Sequence, residues 1–157
     1  MPANKNEVIQ TLKDSLAEVE QVATALEDAA WSKGVYENGW NAKQLLCHVV
    51  ESPGVAAFLA GLAQAPAGSG GMPAGFDIDA WNGQRVAALE GKSVSDLLAE
   101  LRANTERNIA AVQSAPDDLL AKHVKAPWDV EGSLGDVIQQ SVREHAATHL
   151  ADLRSAT

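Results

Sequence analysis

Near the start of the chain, apolar residues recur at steps of three and four: Ile9, Leu12, Leu16, Val19, Ala23 and Leu26. That rhythm lines them up on one stripe, the seam by which bundle helices pack. It predicts a helix from about Asn6 to Ala30. WSKGVYENGW (31–40) breaks the period with two glycines and reads as a loop. Asn41 can cap a second helix while Gln44 reaches back from the third position, as in a capping box. This helix is predicted to run to Ala63 with a kink at Ser52-Pro53-Gly54. QAPAGSGGMPAG (64–75) reads as a flexible crossover or lid. Asp77 or Asp79 opens a shorter helix ending near Gly91. Ser93 with Asp96 starts the next, which runs to Ser114 and is stopped by Pro116. Residues 116–132 read mostly as loop, with little sign of strands anywhere. Ser133 with Asp136 opens a last helix to about Arg154. The sum is an all-α protein, a four-helix bundle with a long crossover and a short extra helix, in a single domain over 1–157.

Composition narrows this picture. The chain has 157 residues, 46% apolar and 21% charged, ordinary values for one soluble domain with a real core. Net charge is −9, and no run of Lys and Arg offers a patch for phosphates, so nucleic acid is not expected as a partner. An anionic membrane surface is disfavoured for the same reason. The N-terminus has no apolar signal region, and a cytoplasmic location is expected, with no membrane partner. Cys47, the single cysteine, cannot form an internal disulfide and reads as a small buried apolar residue. Gly68, Gly70 and Gly71 lack the spacing and the lysine of a phosphate loop.

The candidate chemistry lies where the seam should be apolar and is not. On the last helix the inward series is Leu134, Ile138, Val142, His145, His149 and Leu153. On the second it is Leu45, His48, Ser52, Val55, Leu59 and Leu62. Three of the four histidines therefore point inward; the fourth, His123, falls in a loop and is expected to be solvated. An unpaired polar group in a core costs roughly 1–3 kcal/mol, and burial close together opposes protonation. A hydrogen-bonded core satisfies one such histidine easily. One divalent ion satisfies three at once through neutral imidazoles, and three protein ligands leave a coordination position open, as catalytic sites do.

The same residues resemble a known family. WNAKQLLCHVV (40–50) and REHAATHLADL (143–153) resemble the two ligand-bearing segments of the DinB-like superfamily. DAWNGQRVAAL (79–89) is similar to the Asp-x-Trp-Asn segment of its mycothiol-dependent maleylpyruvate isomerase branch. The resemblance implies a four-helix bundle holding one divalent metal ion, zinc or nickel, on His48, His145 and His149. It also implies a low-molecular-weight thiol cosubstrate such as mycothiol. In part of that branch a Glu stands where this chain has His145. A third imidazole makes the site less anionic, so bound water or thiol feels more of the ion's charge. The isomerase itself carries a further C-terminal domain that contributes to its activity.

The expected function is an enzyme that transfers or adds a thiol to a small electrophile, the thiol ionising on the metal before attack. A metal-containing hydrolase is the alternative, as is a non-catalytic small-molecule-binding or stress protein of the same fold. A metal-free bundle with its histidines bonded to carboxylates also remains open. Glu51 and Asp152, three residues after His48 and His149, are candidate bases or partners for a ligand's second nitrogen. Trp40 and Trp81 at helix starts and Asn82 beside them are candidate substrate-binding residues. The expected partners are thus a small-molecule substrate and, through an apolar helix face, a second copy in a homodimer.

Overall fold

Helix starts are set by side chains that fill the orphan amides of the first turn. Asn4 and Glu7 form a capping box at the head of α1 (Lys5–Ala25). Asn41 and Gln44 do the same for α2 (Ala42–Val50). After a 3-10 turn at Ser52–Gly54, the chain continues as α3 (Val55–Gln64). Asp77 caps α4 (Ile78–Leu89), Ser93 caps α5 (Val94–Ser114), and Ser133 caps α6 (Leu134–Arg154). These bounds come from a computed structural model, which describes residues 1–66 and 74–156. Most of the glycine-rich stretch 64–75, with Gly68, Gly70 and Gly71, lies outside them.

The protein is a four-helix bundle. Its four columns are α1, the broken pair α2–α3, α5 and α6, with α4 laid against α2. Residues 42–64 together are long and apolar enough by composition to cross a membrane. Here they form two bundle helices with Leu45, Leu46, Val50 and Leu59 fully buried.

Three expectations about elements are corrected. The first helix stops at Ala25 rather than Ala30, because Leu26 turns extended and a 3-10 segment, Asp28–Ser32, follows. Leu26 and Ala30 remain buried there, which is why the apolar period runs on past the helix end. The kink is a full break, with separate helices either side of it. Residues 116–132 are not merely loop: after a 3-10 turn at Asp117–Ala121, β1 (His123–Lys125) pairs antiparallel with β2 (Glu131–Ser133). Three-residue strands are too short to show alternation, and Val124 alone points inward.

The break at Pro53 removes helical partners from the backbone on both sides. α5 replaces them. Asn104 Nδ2 donates to the Val50 carbonyl at 2.8 Å, and the Ala57 amide donates to Asn108 Oδ1 at 3.1 Å. Asn108 Nδ2 also donates to the Asn104 carbonyl at 2.9 Å.

The core falls into two clusters. One gathers the C-terminal half of α1 with α2, α4 and the end of α6; the other gathers the N-terminal half of α1 with α3, the hairpin and the start of α6. The changeover lies between Val50 and Ala56 on the broken column and between Val142 and Ala146 on α6. Ser52, His145, Thr105 and Asn108 fall at that level.

Asn108→Ala removes the acceptor of the Ala57 amide from a part-buried hydrogen bond, and with it the buried amide that ties α5 to α3; Asn108 is only 7% exposed. The expected cost is about 0.5–1.5 kcal/mol. It should appear as a lower urea midpoint with an unchanged m-value.

Candidate metal centre

α2 and α6 bring His48, His145 and His149 to one point, and the approach is made by the same ring atom of each. His48 Nε2 lies 2.9 Å from His145 Nε2, which lies 3.1 Å from His149 Nε2. The rings meet edge to face, with centroids 4.3–4.9 Å apart. His145 Nδ1 is 2.9 Å from Ser52 Oγ. His149 is 5% exposed, and its Nδ1 is buried with no hydrogen-bond partner. Asp152 Oδ2 lies 3.7 Å from it, an electrostatic contact too long for a hydrogen bond.

Burial and mutual repulsion keep these rings neutral. His48 is lowered to about 4, by burial and then by His149. His145 is lowered to about 3, by burial and then by His149 and His48. Burial also lowers His149, against the upward pull of Asp152. A neutral imidazole has one in-plane N–H and one in-plane lone pair. His145 Nε2 therefore offers a single site to two neighbours, and hydrogen bonding alone leaves one contact badly served. A cation facing three lone pairs serves all of them. Three imidazoles on a tetrahedral zinc, at about 2.0–2.1 Å each, hold their nitrogens roughly 3.3 Å apart, close to the 2.9 and 3.1 Å by which His145 is separated from the other two. The residues fit a divalent metal.

Tyr36 and Trp40 wall the cluster. Their rings stack with centroids 5.9 Å apart; Trp40 lies 5.4 Å from His48, and Tyr36 meets His149 edge-on at 5.4 Å. A tight turn makes this possible: Gly39 takes φ +93°, and its amide donates to the Tyr36 carbonyl at 3.0 Å. Tyr36 went unnoticed in the sequence, where only the two glycines hinted at a turn. Burial, with Glu37, Asp152 and Asp79, raises its hydroxyl above the ordinary value.

The remaining candidates are placed differently. Glu51 accepts from Arg85 Nη2 of α4 at 2.7 Å, so its carboxylate is held by a cation that sequence reasoning had not singled out. Trp81 is 50% exposed and packs on Phe76, centroids 6.1 Å apart. Asn82 sits half-buried beside it on α4. His123 is exposed and paired with Glu131 at 2.7 Å in the hairpin. Cys47 is fully buried, its thiol pushed up to about 11 by burial.

Residues 12–154 match the family described as the mycothiol maleylpyruvate isomerase N-terminal domain. The chain belongs to this family. Among solved structures it resembles the mycothiol-dependent maleylpyruvate isomerase, with a TM-score of 0.68 and 15% identity. That match covers 96% of this chain but only 61% of the isomerase. YfiT from Bacillus subtilis, described as a probable metal-dependent hydrolase with an unusual four-helix bundle topology, gives 0.69 at 20% identity, covering 97% and 85%. The colibactin self-resistance protein ClbS, in complex with a dsDNA, gives 0.69 at 14% identity, covering 99% and 96%. At these identities the structures share the fold alone. No curated protein matches the chain.

ClbS corrects one expectation. The lack of a Lys and Arg run speaks against nucleic acid as a partner, yet ClbS, of this fold, is in complex with a dsDNA. Net charge reports long-range attraction, whereas phosphate contacts depend on where individual cations sit.

The neutral imidazoles set a pH dependence for the metal-free protein. An unfolded chain takes up protons below about pH 6.5 that the folded site refuses. Stability conferred by folding these rings neutral is thus complete above pH 6.5 and is lost as pH falls toward about 4. Urea melts in chelator should show this loss, and replacing all three histidines by Gln should flatten that part of the slope.

Proposed function

We propose that this protein is a divalent-metal-dependent enzyme that transfers or adds a low-molecular-weight thiol to an electrophile, with His48, His145 and His149 as the ligands. The observation that carries it is the meeting of three neutral imidazoles at Nε2, with one in-plane site for two neighbours. A divalent cation in that position stabilises the anionic form of a thiol or water and polarises an electrophile. The chain's own thiol is not a rival nucleophile, because Cys47 is buried and held protonated. Thiol use is supported by family membership. Zinc and nickel suit an all-imidazole donor set.

The residues around the triad have separate tasks. Tyr36 and Trp40 give an aromatic wall beside His149 and His48 against which a flat or apolar group can lie. Asp152, at 3.7 Å, favours a proton on His149 Nδ1 and so leaves its Nε2 free to ligate. Asp152 can also take a proton from the incoming nucleophile. Glu51 is less free for that task, being paired with Arg85. ClbS, of the same fold, is in complex with a dsDNA, so the reading here does not restrict the protein's partners to small molecules.

Hydrolysis is the second reading, favoured by the description of YfiT. One experiment separates them. Untagged protein is loaded with zinc or nickel, desalted and analysed for metal, then assayed on aryl halides and activated esters with and without thiol. About one ion per chain is expected in the parent, with loss of roughly 10-fold or more in affinity in His48→Ala and in His149→Ala. Turnover that needs both metal and thiol supports transfer. Metal-dependent turnover without thiol supports hydrolysis instead, and a parent that holds no metal removes both.

A further inference from the structure

We propose that Ser52 is a positioning residue for metal binding: its hydroxyl oxygen accepts the Nδ1–H of His145 and holds that ring in the tautomer whose Nε2 lone pair faces His48 and His149. This rests on the metal-site reading above. The contact is 2.9 Å, and among the described residues no other polar side chain bonds His145 Nδ1. An imidazole ligates through Nε2 only when its proton is on Nδ1. Free histidine prefers the opposite tautomer, so a partner that accepts from Nδ1 shifts the ring toward the ligating form.

Of the three rings, His145 most needs such control. Its Nε2 is within 3.1 Å of both other Nε2 atoms. A proton left there would point into the cluster. Asp152 supplies His149 with a carboxylate at 3.7 Å, whereas among the described residues His145 Nδ1 has only the serine.

The scaffold holds Ser52 in place for this contact. It stands in the 3-10 turn that breaks the α2–α3 column, next to Pro53. Asn104 and Asn108 of α5 bond the backbone on either side of the turn, at Val50 and Ala57. The serine therefore sits on a braced turn between two helices, and its hydroxyl bridges that turn to α6. A serine hydroxyl can accept and donate, so Ser52→Ala removes the acceptor while changing volume little.

The test uses the full chain and zinc. Zinc affinity is measured by competition with a chromophoric chelator in the parent, Ser52→Ala and Ser52→Thr, and helicity and melting of the metal-free forms check folding. Ser52→Ala is expected to weaken zinc by about 10- to 100-fold, and Ser52→Thr, which keeps the hydroxyl, to stay within about threefold of the parent. Nitrogen NMR of the zinc-loaded parent is expected to show His145 protonated at Nδ1 and unprotonated at Nε2. Ser52→Ala binding zinc within about twofold of the parent would overturn the proposal, as would a proton on His145 Nε2 in the loaded parent. Failure of the metal-site reading looks different: the parent itself takes up no zinc whatever stands at position 52, and both ideas then fall.

Discussion

Two imidazoles compete for the single in-plane site of a third, and the packed bundle holds them in that crowding. His145 is the shared member, with its Nε2 against those of His48 and His149. Protonation cannot relieve the crowding, since it would put like charges together in a buried setting. The lowering of His48 to about 4 and of His145 to about 3 expresses that cost. A positive centre facing all three lone pairs would serve every ring at once.

A cluster of this kind is costly in a bundle core, and the core is built around it. Apolar packing is divided into two clusters, and the polar residues Ser52, Thr105, Asn108 and His145 fall where one gives way to the other. Each has a partner: Thr105 Oγ1 donates to the Leu101 carbonyl at 2.8 Å, Asn108 ties α5 to α3, and Ser52 meets His145. The Pro53 break is the same compromise in the backbone, with α5 asparagines restoring bonds that the broken column lost. Stability on either side of this level comes from fully buried leucines, Leu45, Leu46, Leu97 and Leu150 in one cluster and Leu12, Leu59 and Leu134 in the other. Those side chains fix the distance between α2 and α6, and with it the spacing of the rings.

Much of this was legible in the chain, for reasons that vary by residue. Helix starts at Asn41, Ser93 and Ser133 could be read because capping is local chemistry, while Asp77 and Asp79 offered α4 two equal starts. The inward histidines could be read because stepping by threes and fours along α2 and α6 puts them in slots otherwise filled by Leu, Ile and Val. What stayed hidden depends on contacts distant in sequence or on short geometry. Arg85 reaches Glu51 only after a long crossover has set α4 on α2. Tyr36 enters through a turn whose glycine takes a positive φ, and spacing alone does not reveal that. Ser52 belonged visibly to the inward series, but its hydrogen bond to a ring 93 positions away did not. Nor could the lack of a Lys and Arg run decide against nucleic acid, since ClbS, of the same fold, is in complex with a dsDNA.

X-ray absorption on the zinc-loaded protein shows whether these three rings act together on one ion. A shared site gives three imidazole nitrogens in the inner shell at about 2.0–2.1 Å, with no sulfur. Fewer than three imidazoles, or a sulfur scatterer at about 2.3 Å from Cys47, would contradict it.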